Sequence, residues 1–187
     1  FEERLAEARL WDVADLVPKA IEALDEHPEL AAAFNVQAFL LDEYQDCALI
    51  QFEFIRKLLG PCRNFFAVGA PSQSIYGFRH ADPQALVKAI RGHFGKLAVA
   101  RLSANYRSGR KIFAACAAMV PAAPDIDGLN TVKKAGEVYL AELEHEQAEA
   151  NFVARTIKRI LSSNPNLRCR DFAVLFRSWN QSDDIPV

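Results

Sequence analysis

The sequence predicts an α/β fold, a parallel sheet with flanking helices, and three observations predict it. Two short apolar runs, Val36 to Leu41 and Phe65 to Val68, each end abruptly in a polar cluster, Asp42-Glu43-Tyr44-Gln45-Asp46 and Gly69 to Arg79. Runs of that length bounded by turn residues are the pattern of buried parallel strands. Between them, Leu49, Ile50, Phe52, Phe54, Ile55, Leu58 and Leu59 recur at helical spacing and stop at Gly60-Pro61. Strand, helix and strand then fit in fewer than 35 residues, the spacing of a right-handed parallel crossover. Ligands of open parallel sheets bind outside the carboxyl ends of the strands, so both clusters are expected to face one crevice.

The other elements follow in chain order. Residues 1 to 10 are charged and rich in Ala and Leu, which favours a helix. Val13, Leu16, Val17, Ala20, Ile21 and Leu24 line one helical face; Pro18 is easiest to place near a helix start, and His27-Pro28 ends the pattern. Asp82-Pro83 reads as an N-cap with proline at the first helical position, opening a helix to about residue 92. Alternation from Leu97 to Leu102 predicts a third strand leading into Ser103 to Ser108, and Ser108 is placed as the cap of a helix that Pro121 stops. Residues 121 to 135, with Pro121, Pro124, Gly128 and two lysines, predict a linker or crossing. Beyond it, a strand at Val138 to Leu143, a helix over 145 to 162 and a strand at Phe172 to Phe176 predict a second βαβ unit and the opening of a second α/β domain. The expected division is 1–120, 121–135 and 136–187.

Composition bounds the function more loosely. The 187 residues are 51% hydrophobic, enough for a packed core, and the net charge of -2 announces no general affinity for nucleic acid, so any such contact must come from a local patch. Cys47, Cys62, Cys116 and Cys169 are dispersed without a C-x-x-C pair, which argues against a zinc site or a disulfide framework and fits a reducing cytosol. No apolar run is long enough to span a bilayer and no leader is evident. The chain opens on Phe1 and stops on Val187 in mid-pattern, which reads as a piece of something longer.

An Asp-Glu pair at a strand's carboxyl end supplies a hard oxygen donor for Mg²⁺ and a second carboxylate that can orient or deprotonate water. Taken alone, Asp42 and Glu43 are better read as caps of the following helix. Gln73, just past the next strand, can contact a terminal phosphate or the attacking water, although a loop glutamine is usually only solvated. Tyr76 and Phe78 flank Gly77 beside Arg79 and fit either core plugs or a stacking platform for unpaired bases. Arg107, after the third strand, is a phosphate-binding cation or an ordinary surface arginine.

Four segments then carry a resemblance. L-L-D-E-Y-Q-D (40 to 46), V-G-A-P-S-Q-S-I-Y-G-F-R-H-A (68 to 81), L-S-A-N-Y-R-S (102 to 108) and F-A-V-L-F-R-S-W-N-Q-S (172 to 182) resemble successive motifs of the UvrD/Rep-type superfamily-one DNA helicases, in that family's order. The resemblance implies a RecA-like fold of the P-loop NTPase type, with 1–120 the later part of a first RecA-like domain and 136–187 the start of a second. It implies ATP and Mg²⁺ as cofactors, single-stranded and duplex DNA as partners, no membrane, a role in DNA repair and a cytoplasmic, nucleoid-associated bacterial setting. Asp42 matches the magnesium-site acid, Glu43 the catalytic carboxylate in the metal's second shell, and Gln73 the phosphate-sensing glutamine; Gln45 and Asp46 belong to the same motif as the acids. Tyr76 and Phe78 match aromatics of the single-strand track, Phe78 standing where Trp is usual, and Arg79 a basic residue beside them. Tyr106 matches a ring near the adenine, Arg107 an arginine finger, and Arg177 and Gln181 a later motif of structural character.

The departures set the competing expectation. Ala70 and Ser72 stand where the family commonly has acids, a loss that points to reduced ATP turnover, and His80 stands where it commonly has Gly. After Gln181 only Ser182, Asp183 and Asp184 precede Ile185-Pro186, where the family carries a helix. No G-x-x-x-x-G-K-[ST] occurs, so the loop whose N–H groups and lysine cradle phosphates is absent from these residues, and this stretch alone is expected to bind ATP poorly. The resulting expectation is a fragment of an ATP-dependent DNA helicase or translocase of 3′ to 5′ polarity. The alternative is a catalytically degenerate helicase-like module that binds DNA or protein.

Overall fold

The computed structural model describes residues 2–8, 10–120, 129–133 and 135–176. The chain divides into two compact units, residues 1–137 and 138–187. The first is mixed α/β. It opens with α1 (Glu2–Ala8), α2 (Leu16–Glu26) and α3 (Pro28–Phe34). Pro18 falls in the first turn of α2, where no intrahelical N–H is required. The sequence stops a helix at His27-Pro28, but Pro28 also begins one: it occupies the first turn of α3, which ends on Asn35 in the left-handed region.

Next come β1 (Phe39–Leu41), α4 (Leu49–Leu59) and β2 (Phe65–Ala67). The strands pair in parallel, Phe39 opposite Phe65, Leu40 opposite Phe66 and Leu41 opposite Ala67. The first strand is shorter than the predicted 36–41. The Gln37 carbonyl is taken by the side chains of Asn64 (3.0 Å) and Cys62, so the backbone ladder begins only at Phe39 N–H to Asn64 O. Phe52, Ile55 and Leu59 of α4 are buried at helical spacing, and Gly60, at φ 51°, ends the helix. The Lys57 ammonium on α4 pairs with Asp25 of α2, tying the two helices together.

Asp82 caps α5 (Pro83–Phe94), its Oδ1 accepting from the N–H groups of Gln84 and Ala85 at 3.0 and 2.9 Å. The core gathers where α4, α5 and β2 meet: Cys47, Phe52, Leu86 and Ile90 are buried, with Tyr44, Phe65, Phe94 and Leu97 packed around them. Phe65 and Phe94 stack with centroids 4.9 Å apart, and Phe52 meets Phe65 edge-on. The opposite face of the pair is open among the described residues, Leu40 being 73% and Phe66 60% exposed.

The predicted strand at Leu97–Leu102 does not form. The chain there has no ladder partner among the described residues, and Val99 and Leu102 are exposed. Pairing comes later, between β3 (Ala104–Asn105) and β4 (Asn130–Thr131), a separate parallel pair. Between them lies α6 (Arg110–Met119), preceded by Gly109 rather than Ser108 at the cap position. The predicted linker falls partly outside the described residues, as do Arg177 and Gln181. In the second unit α7 (Glu146–Ser163) forms as expected, with His145 Nδ1 accepting from Ala148 N–H. The strands predicted at 138–143 and 172–176 do not form: Leu140 is 99% exposed, and among the described residues no neighbouring strand offers these backbone groups a ladder to join. No described helix is long and apolar enough to cross a membrane.

Leu86 has no exposed surface and sits at the centre of the cluster. Leu86→Ala is expected to destabilise the chain by about 2–5 kcal/mol through lost burial and the cavity left behind, read as a lower midpoint in urea unfolding; an unchanged midpoint would refute that packing.

Candidate functional site

The parallel register puts the ends of β1 and β2 side by side, so the two polar clusters leave the sheet as neighbours. At Asp42 the chain turns. Asp42 Oδ1 accepts the Glu43 N–H at 2.9 Å, and Glu43 takes φ 50° and ψ 47°, a left-handed conformation that costs a non-glycine residue on the order of 1–2 kcal/mol. A 3-10 turn over Tyr44–Asp46 follows and carries Gln45 back beneath the acids.

Gln45 is 2% exposed and uses both ends of its amide. Its Nε2 donates to Glu43 Oε2 at 2.6 Å, and its Oε1 accepts from Ala70 N–H at 3.0 Å. The assignment of nitrogen and oxygen is fixed by chemistry, because a carboxylate only accepts and an N–H only donates. The Gln45 carbonyl accepts from the Ser74 hydroxyl at 3.0 Å, and Tyr44 N–H donates to the Val68 carbonyl at 3.1 Å. Gly69 passes close over this joint: a Cβ there would stand 2.3 Å from Gln45 Oε1 and 3.0 Å from the Tyr44 backbone nitrogen.

The loop after β2 is thus held at its start. It is held at its far end too, where Ala81 bridges Ala48 in antiparallel fashion, both residues buried. Between these anchors, Gln73 closes a 3-10 turn on the Ala70 carbonyl, leaving its side chain exposed. Tyr76 and Phe78 stand with ring centroids 5.9 Å apart, tilted by 52°, and the Arg79 guanidinium lies over both at 5.1 and 5.4 Å. Tyr76 is half-buried while Phe78 is 75% exposed, so one ring roots the platform and the other is presented to solvent. Burial pushes the Cys47 thiol up from its ordinary value, which leaves this neighbouring sulfur inert rather than nucleophilic.

Asp42, Glu43, Gln73 and the ring loop therefore share one sheet edge. Arg107 and Tyr106 belong elsewhere in the chain: both follow β3 in the other pair and are exposed, with Asn105 Oδ1 accepting from the N–H groups of Arg107 and Ser108 at 2.9 and 3.1 Å. Among the described residues no hydrogen bond joins them to Glu43 or Gln73. The sequence reading named Gln45 only as part of a motif and missed its bridging position, since a glutamine inside the polar cluster 42–46 carries no signal of burial. Among the described residues no group of three or more His, Cys, Asp or Glu side chains forms a closed metal site. Two adjacent exposed carboxylates do fit Mg²⁺, which binds one or two carboxylates and completes its shell with water and substrate phosphate.

Comparison with known proteins gives the family. The family profile described as UvrD/REP helicase N-terminal domain matches residues 1–93, and that of the UvrD-like helicase C-terminal domain matches residues 100–186. The chain belongs to the UvrD/Rep-type helicase family. It is 28% identical to the ATP-dependent DNA helicase Rep of Escherichia coli K12 over 97% of this chain and 28% of that protein. With DNA helicase II of Haemophilus influenzae the identity is 30%, over 97% and 25%. With the ATP-dependent DNA helicase srs2 of Schizosaccharomyces pombe it is 31%, over 94% and 20%. The chain thus spans about a quarter of the length of the curated relatives it matches.

Gly69→Ala is expected to push Gln45 and Tyr44 off their contacts and to lower stability by about 1–3 kcal/mol in urea unfolding. Gly77→Ala, with no heavy atom within 4 Å of the added carbon, serves as the control, its effect expected within about 0.5 kcal/mol of zero. Equal effects at the two glycines would count against the tight joint.

Proposed function

We propose that this chain is part of an ATP-dependent DNA helicase or translocase that couples Mg-ATP hydrolysis to 3′ to 5′ movement along single-stranded DNA and to duplex unwinding. Its two units contribute the later part of one RecA-like domain of the P-loop type and the opening of a second. The observation that carries this reading is the parallel pairing of β1 with β2, which sets a carboxylate pair and a ring-bearing loop at the same sheet edge. Relatives named ATP-dependent DNA helicases support it.

In this reading Asp42 holds Mg²⁺ through its carboxylate, and the ion, when bound, neutralises phosphate charge. Glu43 orients and deprotonates the attacking water. Gln73 hydrogen-bonds the terminal phosphate through its neutral amide. Tyr106 stacks near the adenine, and Arg107 stabilises charge on the transferring phosphoryl group, a contribution on the order of 10³–10⁵ in rate in such systems. Tyr76, Phe78 and Arg79 take unpaired bases and the backbone beside them, each stacked base contributing about 1–3 kcal/mol.

A catalytically silent module that binds DNA or protein is the second reading. Ala70 favours it: the residue gives its N–H to Gln45 and brings no acid to the edge. Hydrolysis measurements separate the two. In the full-length protein Glu43→Gln is expected to abolish hydrolysis stimulated by single-stranded DNA while nucleotide binding persists, and undiminished turnover would sink the catalytic assignment. Phe78→Ala is expected to weaken single-strand binding by about 1–3 kcal/mol in a fluorescence titration with ATP binding kept. Normal DNA affinity would remove the ring from the track.

A further inference from the structure

Resting on the assignment of Glu43 as the catalytic carboxylate, we infer that Gln45 is a positioning residue that links the ring loop to that carboxylate, so that occupation of the rings sets the orientation of Glu43. Burial makes the link stiff. A buried amide whose donor and acceptor are both engaged cannot release either partner cheaply, because the freed group has no water to turn to. Gln45 engages Glu43 Oε2 through nitrogen and Ala70 N–H through oxygen, with only one planar amide between them. Displacement of Ala70 must therefore move the amide or break a hydrogen bond, and a moved amide turns the carboxylate with it.

Three features make Ala70 the natural point of entry. It begins the loop that carries Tyr76, Phe78 and Arg79. The same loop makes a second attachment to the same residue, Ser74 Oγ donating to the Gln45 carbonyl. At its far end the Ala48–Ala81 bridge holds the loop to the segment just beyond Gln45, so movement of the rings is confined between two fixed points. Gly69, with no room for a Cβ against Gln45 Oε1, keeps the β2 backbone close enough for Ala70 to reach. Glu43, in the left-handed region and held among the described residues by one side chain from beyond its own turn residue Asp42, depends on Gln45 for its direction.

The test is Gln45→Met in the full-length protein, which keeps side-chain length and removes both hydrogen bonds. Hydrolysis is measured with and without single-stranded DNA, alongside DNA affinity, thermal unfolding and hydrogen–deuterium exchange. Turnover with DNA is expected to fall roughly 10- to 100-fold, the scale of a misplaced catalytic group, with KM for ATP within about twofold and DNA affinity kept. Stimulation by DNA collapses, and exchange quickens over residues 69–74 while the Val68 amide, bonded to Leu41 O, stays protected. Undiminished stimulation in a folded variant overturns the inference, as does a parallel loss of turnover, ATP affinity and DNA affinity with a fallen Tm, the signature of a merely structural role. If Gln45→Met does not fold, Gln45→Leu decides: it too carries neither donor nor acceptor at the amide position, so unchanged stimulation again overturns the proposal. Glu43→Gln run beside them separates the two readings. If it retains hydrolysis the underlying assignment fails; if it abolishes hydrolysis while the Gln45 variants keep stimulation, only the link fails.

Discussion

One buried amide organises the functional edge of this chain. Gln45 is the point at which the segment after β1 and the segment after β2 are bonded by side chain as well as by backbone, and its two partners are a carboxylate and a loop amide. Remove it from consideration and the acids and the ring loop are neighbours merely because their strands are. With it, they become a single hydrogen-bonded assembly in which both ends of the buried amide are satisfied.

That assembly stands on short strands. β1 and β2 are three residues each, and their register is fixed on one face by Phe65 and Phe94 packing against the core with Phe39 stacked on Phe65, and at the ends by single ladder bonds. A slip of one residue would turn Phe65 out and Phe66 in, exchanging the core face for the open one. The aromatic packing beneath the sheet therefore sets where Asp42 and Ala70 emerge above it.

What the sequence made legible follows from what patterning encodes. Helical spacing in 49–59 and 145–162 reports a face to be buried, Asp82-Pro83 marks the start of a helix read to about residue 92, and each of those helices forms. The position of Asp42 to Asp46 and of Gly69 to Arg79 at neighbouring strand ends was legible too, since abrupt apolar-to-polar boundaries mark the carboxyl ends of buried strands. The strands read at 97–102, 138–143 and 172–176 do not form among the described residues, because a local apolar pattern describes fitness for a sheet and says nothing of whether a partner lies alongside. β3 and β4, two residues each, leave no periodicity to read. The work of Gln45 was hidden for a related reason: a glutamine in sequence is polar, and only the packing of Gly69 and Tyr44 over it makes it a buried bridge.

The left-handed backbone at Glu43 carries one more implication. Glycine or asparagine would sit there with less strain, and neither brings a glutamate's reach, so the position sets fitness for folding against fitness for chemistry. Random drift or directed evolution for heat tolerance alone would tend to erase this glutamate. A lineage in which it persists is under pressure from what the carboxylate does rather than from what it contributes to the fold.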